Sequence, residues 1–398
     1  MNKENTNKNL AWLGILVVIL VSSNLRSPIT AVSPILDEIK NVFHLDNLEA
    51  SLLTSIPLFV FATCSILVSK AAAKINIRTG LLISLIILIV GLYIRIYGNV
   101  ATLFAGSLIL GLGICIGNVL TPAYIKNIFP NKIGIMTGVF SVAMSLVAAL
   151  ASGLSIDLGK WTGMEWKGSL GIWIIGGILA LIVVSAELMT GKKTTQTATS
   201  AIATTKFNIF KSKQAWSISI FMGLQSLVYY CLVALLPTVL VDFGMQKSET
   251  GWVLFVLQMA MLPVMLFSPV LATKMKNQKN LIYLTGGLFL IGLLMLTILK
   301  SQLVYVSATL IGIAGGLAFS LSILFFSLRT KTMYGTIKIS GKSQSVGYLI
   351  AACGPPIFGK LHDWDISWQY SFYFLIICVL IMTYFGKKAS EPRYIEDH

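Results

Sequence analysis

Apolar runs of about 20 residues recur from one end of this chain to the other, with cores such as "LAWLGILVVILV" (10–21), "LLISLIILIVGLYI" (81–94) and "GGLFLIGLLMLTIL" (286–299). A helix of that length crosses roughly 30 Å of hydrocarbon. In lipid a single segment satisfies its own backbone hydrogen bonds only as a helix. The composition agrees: 56% of the 398 residues are hydrophobic and 11% are charged, where a soluble domain keeps about 25% charged. Twelve spans are predicted, at 10–36, 50–72, 79–97, 101–125, 132–156, 169–189, 214–240, 250–273, 280–299, 302–327, 340–359 and 370–386. The expected fold is all-α and polytopic, with twelve transmembrane helices embedded in a lipid bilayer.

The net charge of +15 would suit a nucleic-acid partner, but its distribution argues for orientation instead. With both termini on one side, 22 of the 30 Lys and Arg fall on that side, seven fall on the other, and Arg26 lies within a span. Ten of the 15 carboxylates fall on the Lys/Arg-poor side. The positive-inside rule then places both termini in the cytoplasm of a multi-pass protein of the cytoplasmic membrane. The polar N-terminus leads into a span too long for a signal-peptide core. Trp161, Trp166, Trp364 and Trp368 are expected to anchor the outer interface, and Trp12 and Trp216 the inner one. The five cysteines have no CxxC spacing. No metal or cofactor site is expected, and no nucleophile–base grouping points to an enzyme.

A Thr-, Ser- and Lys-rich stretch, "TGKKTTQTATSAIATTKFNIFKSK" (190–213), interrupts the spans near the chain centre. It reads as a cytoplasmic linker between two six-helix bundles, 1–189 and 214–398. The bundles repeat weakly at an offset of about 200. "VSKAAAKINIR" (68–78) aligns with "SPVLATKMKNQ" (268–278), and "LGLGICIGN" (110–118) with "IGIAGGLAF" (311–319). A parallel repeat of this kind is expected to hold its substrate between the two bundles near the midplane. Gly113 and Gly117 form a small-xxx-small pair that permits close helix approach.

"VSSNLRSPITAVSP" (21–34) carries the residue hardest to place in lipid. Arg26 lies about 16 residues into the first span, or roughly 24 Å along it at about 1.5 Å per residue. Leaving it in hydrocarbon costs at least about 2.5–3.5 kcal/mol. On a continuous helix Ser22, Ser23, Arg26, Thr30 and Ser33 form one polar stripe, predicted to line a hydrated cavity. A guanidinium presents a fixed fork of donors suited to planar oxyanions. No Asp or Glu falls well inside any predicted span, and Glu187 sits near the end of the sixth. Snorkelling, capping of carbonyls at the Pro28 break, and a gating pair with Asp37 or Asp242 remain alternatives for Arg26. Uncharged polar groups are expected to share the cavity: Asn118 with Thr121 in span four, Gln225 and Tyr229 in span seven, Gln258 in span eight, and Gln344 and Tyr348 in span eleven.

Twelve spans, a central linker and a basic loop after the second span resemble the major facilitator superfamily. That loop there reads G-x-L-A-D-R-x-G-R-R. Here "SKAAAKINIR" (69–78) keeps Ala72, Lys74 and Arg78, with Ala73 in place of the acid and Asn76 in place of the second glycine. Four regions, "NLRSPITAVSP" (24–34), "GLGICIGNVLTPAYIKNIFP" (111–130), "FMGLQSLVYYCLVALLPTVL" (221–240) and "GYLIAACGPPIFGKLHDWDISW" (347–368), resemble the cyanate / 2-nitroimidazole transporter family. The resemblance implies a secondary transporter for small anions or small heteroaromatic compounds, with Arg26 in the central cavity and Ala72, Lys74 and Arg78 in a gating loop. The expected activity is alternating-access transport by a monomer, with Arg26, Thr30, Asn118, Gln225, Tyr229, Gln258, Gln344 and Tyr348 contacting a small anionic or polar organic substrate. A nitroheterocycle or drug efflux pump is the alternative within transport, and a non-transporting receptor the remote one.

Overall fold

The computed structural model describes residues 3–45, 47–72, 75–190 and 207–397. Its helices are α1 (Lys3–Asn24), α2 (Ser27–Thr30), α3 (Leu36–Phe43), α4 (Asn47–Ala72), α5 (Ile77–Arg95), α6 (Val100–Ile128), α7 (Ile133–Gly153), α8 (Ser155–Thr162), α9 (Glu165–Gly171) and α10 (Trp173–Thr190). They continue as α11 (Lys213–Asp242), α12 (Lys247–Lys274), α13 (Lys279–Leu299), α14 (Val304–Leu328), α15 (Met333–Trp364) and α16 (Gln369–Ala389). Among the described residues no strand occurs, and eleven helical stretches are long and apolar enough to cross a membrane. The twelfth expected span belongs to α15, a 32-residue helix. Its first half is polar because it is buried in protein: Ser340, Lys342, Ser343, Gln344 and Ser345 are all shielded from the surroundings.

Several helices begin where a polar side chain takes up an otherwise unpaired N–H. Asn76 accepts from Arg78 N at 3.0 Å, and Asn99 and Thr102 form a reciprocal capping box. Ser212 accepts from Ala215 N at 3.3 Å.

Two compact units emerge. One comprises Met1–Lys132, Val139–Phe207 and Thr332–Gly341; the other comprises Ile133–Gly138, Asn208–Lys331 and Lys342–His398. The unit boundaries fall inside α7 and α15. Residues 191–206 of the expected linker lie outside the described residues.

In the first unit α4 and α5 pack on α6, α1 and α5 pack on α10, and α1 touches α6. In the second, α12 and α13 pack on α14, α11 and α13 on α16, and α11 touches α14. The two sets of pairings correspond helix by helix at the offset read from the sequence. This is the two-bundle architecture.

The predicted glycine contacts lie at these crossings. A Cβ at Gly113 would stand 2.6 Å from Leu88 N, and one at Gly117 would stand 2.5 Å from Leu25 Cδ2. Glycines in the aligned segment of the second repeat also lie at a close crossing: a Cβ at Gly312 would meet Leu257 O at 2.2 Å, and one at Gly316 would meet Met261 O at 2.7 Å. Backbone-to-backbone approach without a side chain between is how membrane helices gain packing energy where lipid is as apolar as leucine.

Two of the expected interface tryptophans are instead core residues. Trp166 is 3% exposed and Trp368 2% exposed. Trp166 packs edge-on against Phe43 at 5.2 Å, while Trp368 donates from Nε1 to Asp242 Oδ2 at 2.8 Å. The segments carrying Trp166 and Trp368 fold back on the bundles, so these two indoles find protein first, while Trp161 and Trp364 stay exposed.

Gly113→Leu is expected to destabilise the protein by at least 1–3 kcal/mol, on the order of an overpacked core. Gly287, which has nothing within 4 Å of its missing Cβ, should accept Ala without loss. Thermal unfolding of the two variants in detergent separates them; equal midpoints would contradict the close crossing.

Candidate functional site

The first span is not one helix. α1 ends at Asn24, Leu25 and Arg26 form a turn, and α2 runs only from Ser27 to Thr30 before a 3-10 turn at Ser33–Ile35. Pro28 is the cause: it has no N–H to give, and its ring excludes the carbonyl four residues earlier. Arg26 takes a non-helical conformation (φ −134°, ψ −32°), and its carbonyl accepts from Ile29 N and Thr30 N at 3.1 Å each. The continuous stripe expected from helical spacing is therefore interrupted. Ser22 and Ser27 are buried, with hydroxyls donating to Val18 O and Ser23 O, while Ser33 is exposed. Arg26 and Thr30 are half-buried.

The broken turn is held from several sides of the first unit. Thr30 Oγ1 donates to Ala148 O of α7 at 2.9 Å. Asn24 Nδ2 donates to Gly176 O of α10 at 3.1 Å. Ser155 Oγ donates to Ala31 O at 2.5 Å and meets Ser169 Oγ at 2.6 Å. Leu25 lies against Gly117 of α6, so Asn118, half-buried, is the next residue along that contact. Thr121 is buried, its hydroxyl spent on Gly117 O at 2.7 Å. Arg26, Thr30 and Asn118 thus belong to one region of the first unit.

Gln225, Tyr229, Gln258, Gln344 and Tyr348 belong to the second unit. α11 and α15 run side by side there: Ser219 Oγ and Ser343 Oγ are 3.0 Å apart. A Cβ at Gly347 would meet Gly223 N at 3.4 Å. Gln225 and Ser226 lie just beyond this crossing on α11, and Gln344 and Tyr348 flank it on α15. Gln225 Nε2 donates to Ser226 Oγ at 2.7 Å, and both Gln225 and Gln344 are buried. Tyr229 stands edge-on to Tyr230 at 5.6 Å and lines a small apolar recess with Leu232, Leu257, Met261 and Phe289. Gln258 is half-buried midway along α12.

The loop motif has a different setting. Lys74 lies outside the described residues, and Ala72 is buried. Arg78 Nε pairs with Glu187 Oε1 at 3.0 Å; Glu187 is 2% exposed. The buried Tyr124 ring stands beside both charges. The repeat supplies a counterpart with the charge on another helix. Gln278, aligned with Arg78, accepts from Arg329 Nη2, and Arg329 also donates to Ala389 O at 3.0 Å and Ser390 O at 2.7 Å. Burial lowers the Arg329 pKa to about 10, so it stays charged at neutral pH. In the first repeat Arg78 ties the start of α5 to the end of α10; in the second, Arg329, just past α14, links Gln278 at the start of α13 to the end of α16.

With this geometry in hand, comparison with known proteins decides the family. The model of the Major Facilitator Superfamily matches residues 11–341. The chain belongs to this superfamily. Its relatives include an "Uncharacterized transporter YycB" of Bacillus subtilis (strain 168), 36% identical over 385 residues, covering 96% of this chain and 94% of that one. The 2-nitroimidazole transporter of Escherichia coli (strain K12) is 30% identical over 378 residues, covering 95% of each. The cyanate transport protein CynX of the same organism is 24% identical over 388 residues, covering 96% and 98%. The solved structure of the proton:xylose symporter XylE superposes with a TM-score of 0.77 at 14% identity, covering 98% of both chains. That likeness shows the fold alone. As a superfamily member the protein is a multi-pass membrane transporter of a small molecule, and not an enzyme.

Sequence reasoning missed the buried cations Arg329, Arg95 and Lys342. Arg95, at the edge of a span and counted with the outer loops, is 2% exposed. Lys342 is 1% exposed; its Nζ donates to Ile209 O at 3.2 Å and lies 4.0 Å from the centre of the Trp216 ring. The signal for Lys342 was present in its Ser-rich, small-residue surroundings, "KISGKSQS" (338–345), which mark a helix facing protein.

Glu187→Ala should cost about 3–5 kcal/mol of stability, because it removes the buried carboxylate that pairs with the largely shielded Arg78 guanidinium. Adding Arg78→Ala should restore much of that loss. Unfolding midpoints of the single and double variants measure this; losses that simply add would show the pair to be uncoupled.

Proposed function

We propose that this transporter carries a small anion or a small polar heteroaromatic compound by alternating access, with the Arg26 guanidinium as its principal substrate contact. The observation that carries the reading is the helix break at residues 25–26. It takes Arg26 out of the regular helix, at membrane depth, in a turn fixed by bonds from α7, α8 and α10. Binding sites at unwound helix segments are a recurrent device of secondary transporters, because backbone polar groups and side chains become available together.

The named relatives support the substrate class. Cyanate and 2-nitroimidazole differ in shape and charge, yet both offer delocalised electron-rich acceptor atoms. Both suit a planar fork of N–H donors better than a point charge. The second unit contributes uncharged partners, Gln225, Gln344, Tyr348, Tyr229 and Gln258. That set suits a singly charged or strongly dipolar substrate over a multiply charged one. Arg78, with Ala72 and Lys74, belongs to the gating loop of the first bundle, and residues 190–213 connect the two bundles. Both termini face the cytoplasm, as the Lys/Arg bias requires, and the transporter works as a monomer in the cytoplasmic membrane.

Export of nitroheterocycles is the second reading, favoured by the 30% identity to the 2-nitroimidazole transporter. A neutral nitro group would then accept from Arg26 where cyanate would pair with it.

Proteoliposomes holding the purified protein test the reading with labelled cyanate and labelled 2-nitroimidazole. Hydrogen bonds to a charged group are worth about 1.5–3 kcal/mol, so Arg26→Ala should slow transport about tenfold to a hundredfold, and Arg26→Lys should recover little. Unchanged transport by Arg26→Ala would remove the claim for Arg26. Failure of the wild-type protein to move either compound would remove the substrate class. Disruption that sensitises cells to 2-nitroimidazole supports export, and loss of growth on cyanate supports import.

A further inference from the structure

We propose that Arg95 is a positioning residue: it fixes the Arg26 turn by supplying the hydrogen bond that the helix break takes away from Pro28. The proposal rests on the reading of Arg26 as the substrate-holding group and assigns a role to a residue outside it.

The backbone bonding around the break leaves one carbonyl over. Ala31 N donates to Ser27 O at 3.0 Å, and Val32 N donates to Ile29 O at 3.3 Å. In a regular helix Val32 N would go to Pro28 O, four residues back. That carbonyl is skipped, and among the described residues its donor is Arg95 Nη1, at 2.9 Å from 67 residues away in the chain. A buried carbonyl without a donor is rare and costly, so the contact repairs a defect that Pro28 and the short α2 create.

The placement of Arg95 is built, not incidental. It is the last residue of α5, and a Cβ at Gly106 of α6 would stand 2.4 Å from its backbone nitrogen. The close crossing seats the α5 terminus inside the first unit, and the side chain is 2% exposed. Among the described residues its Nε and Nη2 have no hydrogen-bond partner. A guanidinium kept in such a site is expensive, and general packing gains nothing from it that methionine would not supply at similar length. The bond to Pro28 O is the contact that distinguishes arginine there. Pro28 stands two residues from Arg26 and between it and Thr30, so holding Pro28 holds the turn that presents the Arg26 side chain.

Arg95→Met removes the donor and keeps most of the side-chain length, and Arg95→Lys keeps a cationic donor. Amide hydrogen exchange on the full-length protein in detergent needs no ligand. Arg95→Met should speed exchange in peptides covering residues 25–35 about tenfold, with α6 and the middle of α5 unchanged, and Arg95→Lys should stay closer to wild type. Unchanged exchange over 25–35, or a uniform rise through α5 and α6, would overturn the proposal. In proteoliposomes Arg95→Met should raise the KM for 2-nitroimidazole about tenfold, keep the maximal rate within about twofold, and be partly rescued by Arg95→Lys. A fall in maximal rate at constant KM would mark Arg95 as merely structural and also overturn it. If Arg26→Ala transports normally, the reading of Arg26 fails by itself, and the exchange experiment still decides whether Arg95 holds the turn.

Discussion

A membrane helix cannot be broken without a donor or acceptor for each backbone group it frees, and the first span of this protein is broken at its most charged point. Pro28 forbids the regular ladder, and lipid supplies no water to replace it. The first unit answers with side chains. Arg95 reaches Pro28 O, Ser155 reaches Ala31 O, and Thr30 and Asn24 send their own donors into α7 and α10. Each of these bonds spans a long stretch of sequence, so the break is a property of the folded bundle and not of the local peptide. Arg26 is carried on that break.

Close helix packing makes the arrangement possible. Gly106, Gly113 and Gly117 let α6 lie directly on α5 and α1, which brings Arg95 to the turn and Asn118 beside it. In the second repeat Gly312 and Gly316 lay α14 on α12 instead, and the span corresponding to the first carries no arginine. The amides and phenols named for the site lie on α11, α12 and α15, while the buried cations Arg329 and Lys342 are bonded to backbone carbonyls. The two repeats therefore share a scaffold and differ in where their cations lie. The ion pair of Arg78 with Glu187 and the fan of bonds from Arg329 show the same divergence at the helix ends: similar tie points, with the cation on different elements.

Span length and the repeat were legible in the chain because they depend on hydropathy and small-residue spacing, which are local properties. Pro28 was visible too, yet helical spacing was carried through it, and the predicted stripe from Ser22 to Ser33 is cut as a result. What could not be read was anything fixed by distant partners. Arg78 and Glu187 are separated by 109 residues, and no local pattern pairs them. Arg95 looked like a loop residue at the end of an apolar run; only the crossing at Gly106 turns it inward. Trp166 and Trp368 carried the composition of interface anchors and became core because their loops fold onto the bundles.

The most direct measurement of the central claim is a structure of the protein determined with 2-nitroimidazole or cyanate bound. The expected result is an oxygen or nitrogen of the ligand about 2.7–3.1 Å from an Arg26 guanidinium nitrogen, with the turn at residues 25–30 kept. A ligand seated away from Arg26, with that guanidinium directed into the acyl chains, would contradict it.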